Sequence, residues 1–283
     1  MTATILTCID GSVYSSSVAD HASWAAGRLG AGVQLLQVLG RREASSDDRS
    51  GRIVAGARRQ LLEELAQLDA ERAKLLRSQA RLDLEDAAAR IRDAGVAEIS
   101  TMLRHGDLLE TLHALEAGAD LTVIGKRGEA ADFAKLHLGS NLERILRSAR
   151  RPVLIASRSF QPIERCLVAF DGRTSATRAV DEMSRSPLFS ALPIQLVMVA
   201  DPSPEAEQKL AAGAAQLRAG GLTVETTLQP GAPDTVIADL VEETGASLLV
   251  MGAYGHSRLR TLVIGSTTSE MIRACRVPIL VYR

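Results

Sequence analysis

The chain carries one series of landmarks twice, in the same order, and this constrains its fold more than any other feature. Ala3 to Asp10 reads ATILTCID and runs into Gly11-Ser12; Arg165 to Asp171 reads RCLVAFD and runs into Gly172-Arg173. Ala119 to Gly128, ADLTVIGKRG, is answered by Ala246 to Gly255, ASLLVMGAYG. Leu138 to Pro152 is answered by Ile264 to Pro278, so that Gly139, Ser140, Arg147 and Pro152 match Gly265, Ser266, Arg273 and Pro278. Each copy closes on a short apolar strand, Val153-Leu154-Ile155 or Ile279-Leu280-Val281. A repeat of this length is a duplicated domain. Residues 1–158 are expected to form the first unit and 163–283 the second, joined by the short linker Phe160-Gln161-Pro162-Ile163. A linker that short predicts two units that pack together.

Apolar runs alternate with helical patterns in both copies, which implies α/β architecture with a doubly wound parallel sheet. In the first copy the pattern predicts strands near Thr4–Ile9, Val33–Val38, Glu98–Leu103, Leu121–Gly125 and Pro152–Ala156. Helices are expected near Ser15–Leu29, Leu82–Ala94, Asp107–Ala117 and Ser140–Ser148. In the second copy, strands are expected near Arg165–Phe170, Ile194–Val199, Leu222–Thr227, Ser247–Gly252 and Pro278–Tyr282. Its helices are expected near Thr174–Ser184, Glu205–Ala219, Pro233–Glu243 and Ser266–Cys275. The first copy also carries a helical insertion at about 43–80. Within it Ile53, Ala57, Leu61, Leu65, Leu68 and Leu75 or Leu76 form an apolar stripe, expected to cover the sheet or a neighbouring domain, with a partner-binding helix as the alternative.

The stretch Leu248 to Thr268 carries the chemistry. An apolar strand ends in Gly252 and Gly255, and Gly265, Ser266 and Thr267 then open a helix. Glycines let backbone approach a ligand, and the free N–H groups at a helix start favour an anion. These parts could form a phosphate cradle; plain turn punctuation is the competing reading. No Lys follows the last glycine, so it is not a Walker A loop, nor is it the G-x-G-x-x-G of dinucleotide folds.

Composition excludes other classes. A formal net charge of −1 argues against nucleic acid or an anionic membrane as the main partner. No apolar run reaches the ~18 residues of a membrane span, and the N-terminus reads as a first strand rather than a signal peptide. Cys8, Cys166 and Cys275 lack metal-ligand spacing and lie in apolar segments, which suits buried thiols in a reducing cytoplasm. His21 and His113 have no His or Cys partner at ligand spacing, so no metal site is expected. His105-Gly106-Asp107 reads as a turn in which Asp107 caps a helix. Lys126-Arg127 either meets phosphate or faces solvent. No G-x-S-x-G, His-Glu-x-x-His or CxxC is present, and no catalytic residue is assigned.

On these motifs the chain resembles a tandem universal stress protein, one family domain per half. The matching pattern is an early strand ending in Asp, then G-x2-G-x9-G-[ST], then a last strand beginning at V-P or R-P. The second half carries it at Asp171, Gly252, Gly255, Gly265 and Ser266. The resemblance implies two five-stranded sheets of order 3-2-1-4-5, adenine-nucleotide α-hydrolase-like, with terminal strands that pair between domains as an intramolecular pseudo-dimer. It implies a stress-response protein that binds ATP, with or without Mg, between the first and fourth strands, chiefly in the second half. Carried over, Asp171 meets adenine or ribose, Val199 lines the adenine slot, and Met251 and Gly252 border the ribose. Gly255, His256, Gly265, Ser266 and Thr267 then surround the phosphates, with a solvated loop as the other reading of His256. The first half keeps Asp10, Val38, Gly125, Gly128, Gly139 and Ser140. Its glycine spacing is one residue longer, however, Asn141 replaces a hydroxyl, and Glu129 and Asp132 stand where phosphate would. A slow ATPase, a non-nucleotide scaffold with a degenerate pocket and a homodimer are further expectations compatible with these residues.

Overall fold

The computed structural model describes residues 3–40, 55–126, 140–253 and 266–283. In the first half, β1 (Thr4–Cys8) lies between β2 (Gly32–Leu39) and β4 (Leu121–Gly125), all parallel. Outside them lie β3 (Ile99–His105), against β2, and β5 (Val153–Ala156), against β4. The second half repeats this order. Strand β6 (Cys166–Ala169) lies between β7 (Ile194–Val199) and β9 (Leu248–Gly252), with β8 (Val224–Gln229) and β10 (Ile279–Tyr282) outermost. Each half therefore has the order 3-2-1-4-5.

The two last strands run antiparallel, with Leu154 opposite Leu280, and fuse the halves into one ten-stranded sheet. Each would otherwise present a row of unpaired backbone groups, so their pairing removes two exposed edges at once. Both leucines are fully buried at this seam.

Central strands such as TILTC and LLVMG are apolar along their length because helices cover both faces. One face carries α1 (Ser15–Leu29), α2 (Ala55–Asp93), α5 (Thr174–Arg185) and α6 (Pro204–Ala219), whose inward residues share a single core across both halves. The other carries α3 (Leu108–Leu115), α4 (Ser140–Ser148), α7 (Pro233–Thr244) and α8 (Ser266–Ala274). Local chemistry sets the helix ends. Gly30 closes α1 at φ 60°, Ser203 caps α6 through the Ala206 N–H, and Asp107 caps α3 through the N–H groups of Leu109 and Glu110. Arg28 of α1 donates to the carbonyls of Leu188 and Ser190, tying the first half to a 3-10 turn of the second, Pro187–Phe189.

The insertion departs from its sequence reading. It forms no separate helix; it runs without a break into the helix expected at Leu82–Ala94, giving the 39 residues of α2. Its stripe does not cover the sheet. Ala80, Leu84, Ala87, Ala88 and Ile91 are buried, whereas Leu61, Leu65, Leu68, Leu75 and Leu76 are exposed. Length explains this: α2 spans ~58 Å at 1.5 Å per residue, and the eight-residue β2 spans only ~26 Å. Ile53, and the side chain of Ala57, lie outside the described residues.

All three cysteines are buried and free. Burial, helped by the negative charge of Asp10, pushes the Cys8 thiol up to about 12. Burial also raises the thiols of Cys166 and Cys275, so none is a ready nucleophile. His21 is fully buried on α1, its Nδ1 2.7 Å from the Ser17 carbonyl and its ring edge-on to Phe160 of the linker at 5.0 Å. Among the described residues no helix is long and apolar enough to cross a membrane.

Candidate functional site

A cavity of about 360 Å³ opens at the C-terminal ends of β6, β7 and β9. Strand order reverses about β6, and crevices at such reversals are where open α/β sheets take ligands. The volume lies within the range of small-molecule sites, roughly 300–1,000 Å³. Four residues singled out in the sequence line it together: Asp171, Val199, Met251 and Gly252. Asp171 is held in a tight turn in which its Oδ1 accepts from the Arg173 N–H at 2.9 Å and Gly172 takes φ 70°. Gly252 has a packing role as well. A Cβ there would sit 2.5 Å from Ser175 Oγ and 2.9 Å from the Ala176 nitrogen, so the end of β9 can approach the start of α5 only without a side chain.

Thr268 and Met271, on the first two turns of α8, form part of the wall, and the Thr268 hydroxyl donates to the Ala253 carbonyl at 3.2 Å. The helix start is thus brought beside the crevice. Ser266 and Thr267 begin α8, and Ser140 begins α4, but the side chains of these three residues are not described. Gly128, Gly139, Gly255, His256 and Gly265, with Arg127, Glu129 and Asp132, lie outside the described residues.

Sequence reasoning missed the cations of this cavity, Arg173 and Lys209. Lys209 lies on α6 with its stem over the Asp171–Gly172 turn, so that a Cβ on Gly172 would be 3.1 Å from its Cδ. Its Nζ is 2.6 Å from Glu205 Oε1, an exposed pair of small energetic weight. The signal available in sequence was the spacing from the helix end: Lys209 stands twelve residues before Gly221, as Asp83 stands twelve before Gly95.

The first half places Asp10, Val38 and Gly125 at the matching strand ends, and Asp10 Oδ1 accepts from the Ser12 N–H at 3.1 Å. Over its turn lies Asp83 instead of a lysine. A Cβ on Gly11 would be 2.5 Å from Asp83 Oδ2, and that carboxylate accepts from Gln37 at 3.2 Å and Gln79 at 2.9 Å. Lys126, read from sequence as phosphate-binding or solvent-facing, donates instead to the carbonyls of Arg273 at 3.1 Å and Cys275 at 2.8 Å. It caps the C-terminal end of α8, across the boundary between the halves, where a cation suits the free carbonyls. Among the described residues no cluster of His, Cys, Asp or Glu could hold a metal ion.

The sheet order, two-faced helix packing and crevice define a duplicated, doubly wound α/β protein. The universal stress protein family model matches residues 1–157 and 187–283, and the chain belongs to that family. It is 36% identical over 284 residues to universal stress protein Slr1230 of Synechocystis, covering 99% of each chain. It is 28% identical over 79 residues to universal stress protein MJ0577 of Methanocaldococcus jannaschii, covering 28% of this chain and 49% of that one. In fold it is similar to the crystal structure of a universal stress protein from Archaeoglobus fulgidus, with a TM-score of 0.74 at 22% identity over 98% of this chain and 97% of that one.

Proposed function

We propose that this chain is a stress-response regulator, acting in the cytoplasm, that binds ATP in the crevice of its second half and signals occupancy through its shape or its partners. The units are residues 1–158 and 163–283, and only the second is the nucleotide site. The observation that carries this reading is the cavity between Asp171, Val199, Met251 and Gly252, with a helix start on its wall and a lysine over its Asp-Gly turn. Its apolar strand ends suit a purine, Asp171 can accept from adenine or ribose, and Arg173 and Lys209 give positive charge for phosphate. The segment with Gly255, His256, Gly265, Ser266 and Thr267 completes the phosphate end, with Mg as an accompanying ion. Among the described residues no side chain is placed as a general base, so ATP acts as a bound signal, with hydrolysis at most slow.

Calorimetric titration of the whole chain with ATP tests this. The expected result is one equivalent bound by the wild type and none by Val199→Trp, whose indole would fill the slot. Absence of binding by the wild type, or full binding by Val199→Trp, contradicts the reading.

A further inference from the structure

We propose that the projecting part of α2 pairs with the same segment of a second copy of this chain, antiparallel, through its leucine stripe. Among the described residues the exposed large hydrophobics are Val13 and seven leucines, all seven on α2. Leu61, Leu68, Leu75 and Leu82 recur every seven residues, and Leu62, Leu65 and Leu76 widen the stripe. Exposure reaches 61% at Leu68 and 71% at Leu75. From residue 61 to 79 each side chain except the half-buried Ala73 is exposed, so this length of helix does not pack on its own sheet. A solvated helix of that kind is marginal alone. A seven-residue leucine repeat over ~33 Å of helix is the pattern that two helices bury by winding together.

Charge selects the occupant and its direction. Glu64 and Glu71, three residues after a leucine of the repeat, and Lys74 and Arg81, one residue before the next, lie along the same flank of the stripe. That flank is acidic at its N-terminal end and basic at its C-terminal end. An antiparallel copy meets this flank with its own, reversed, so acid faces base at both ends of a two-fold pair. The flank therefore complements itself when the two copies run antiparallel. None of these residues lines the nucleotide crevice, so the pairing stands or falls separately from ATP binding.

Sedimentation equilibrium of the full chain over a wide concentration series is the test, with far-UV helicity and melting of each variant confirming an intact body. The wild type is expected to pass from one-chain to two-chain mass as concentration rises. Leu68→Glu with Leu75→Glu should raise the dimer Kd at least about a hundredfold, since each change counts twice in a symmetric pair. Glu64→Lys with Glu71→Lys should also weaken it, and adding Lys74→Glu and Arg81→Glu should restore it. A one-chain mass throughout, a dimer that ignores the leucine changes, or a fourfold charge swap that fails to restore pairing would each overturn the proposal.

Discussion

The two halves share strand order, an Asp-Gly turn and a helix laid over that turn, yet they differ in the charge of one residue on that helix. Over Asp171–Gly172 lies Lys209; over Asp10–Gly11 lies Asp83. The second arrangement pairs a hydrogen-bond acceptor with a cation, and the first gathers two carboxylates, with two glutamines donating to one of them. Lys126, the cation that follows β4 in the first half, donates to the end of α8. The two halves keep one scaffold, and the residue laid over the turn differs between them, an ammonium group in one and a carboxylate in the other. The halves differ inside as well. Among the described residues the first half buries His21 and Glu116, while the second buries no His, Asp, Glu, Lys or Arg side chain.

The largest expected effect comes from the scaffold of the second crevice. Gly252→Val places a branched side chain against Ser175 and the Ala176 backbone, and should cost about 1–3 kcal/mol in chemical denaturation, with ATP binding lost alongside. A variant as stable as the wild type would show that β9 and α5 do not depend on that close approach.

Exchanging the charge tests the comparison itself. Lys209→Asp makes the second Asp-Gly turn resemble the first and should weaken ATP about tenfold, ~1.4 kcal/mol. Asp83→Lys, the reverse change, should leave the second site's affinity unaltered. Equal weakening by both substitutions would remove the distinction between the halves.

The smallest effect is that of the buried imidazole in the first half. Burial holds the His21 pKa below its ordinary value, against the opposing pull of its bond to the Ser17 carbonyl and the charge of Asp20. The unfolded chain then takes up the proton first. Stability from this residue is full above the ordinary histidine value of ~6.5 and falls as pH drops from there toward the folded value. Denaturation midpoints measured through this range should decline with acidity in the wild type and decline less in His21→Phe. Identical slopes would show that His21 does not contribute.

Much of this was legible in the chain. The strands lie within a residue or two of their expected places because both copies alternate short β-branched runs with helical periods, and Asp107 is the helix cap its turn implied. The terminal strands meet as the family resemblance suggested. What the sequence concealed was tertiary. The stripe from Leu61 to Leu76 has core-like spacing, but the sheet beneath is too short to reach it. The bond from Lys126 to Cys275 joins residues 149 positions apart, and no local pattern signals it. The opposition of Asp83 and Lys209 emerges only when both are seen over their turns.

The most direct measurement is the number of ATP molecules retained per chain by native mass spectrometry, for the wild type beside Val199→Trp and Val38→Trp. One molecule is expected on the wild type, one on Val38→Trp and none on Val199→Trp. Two molecules on the wild type, or loss on Val38→Trp alone, would contradict it.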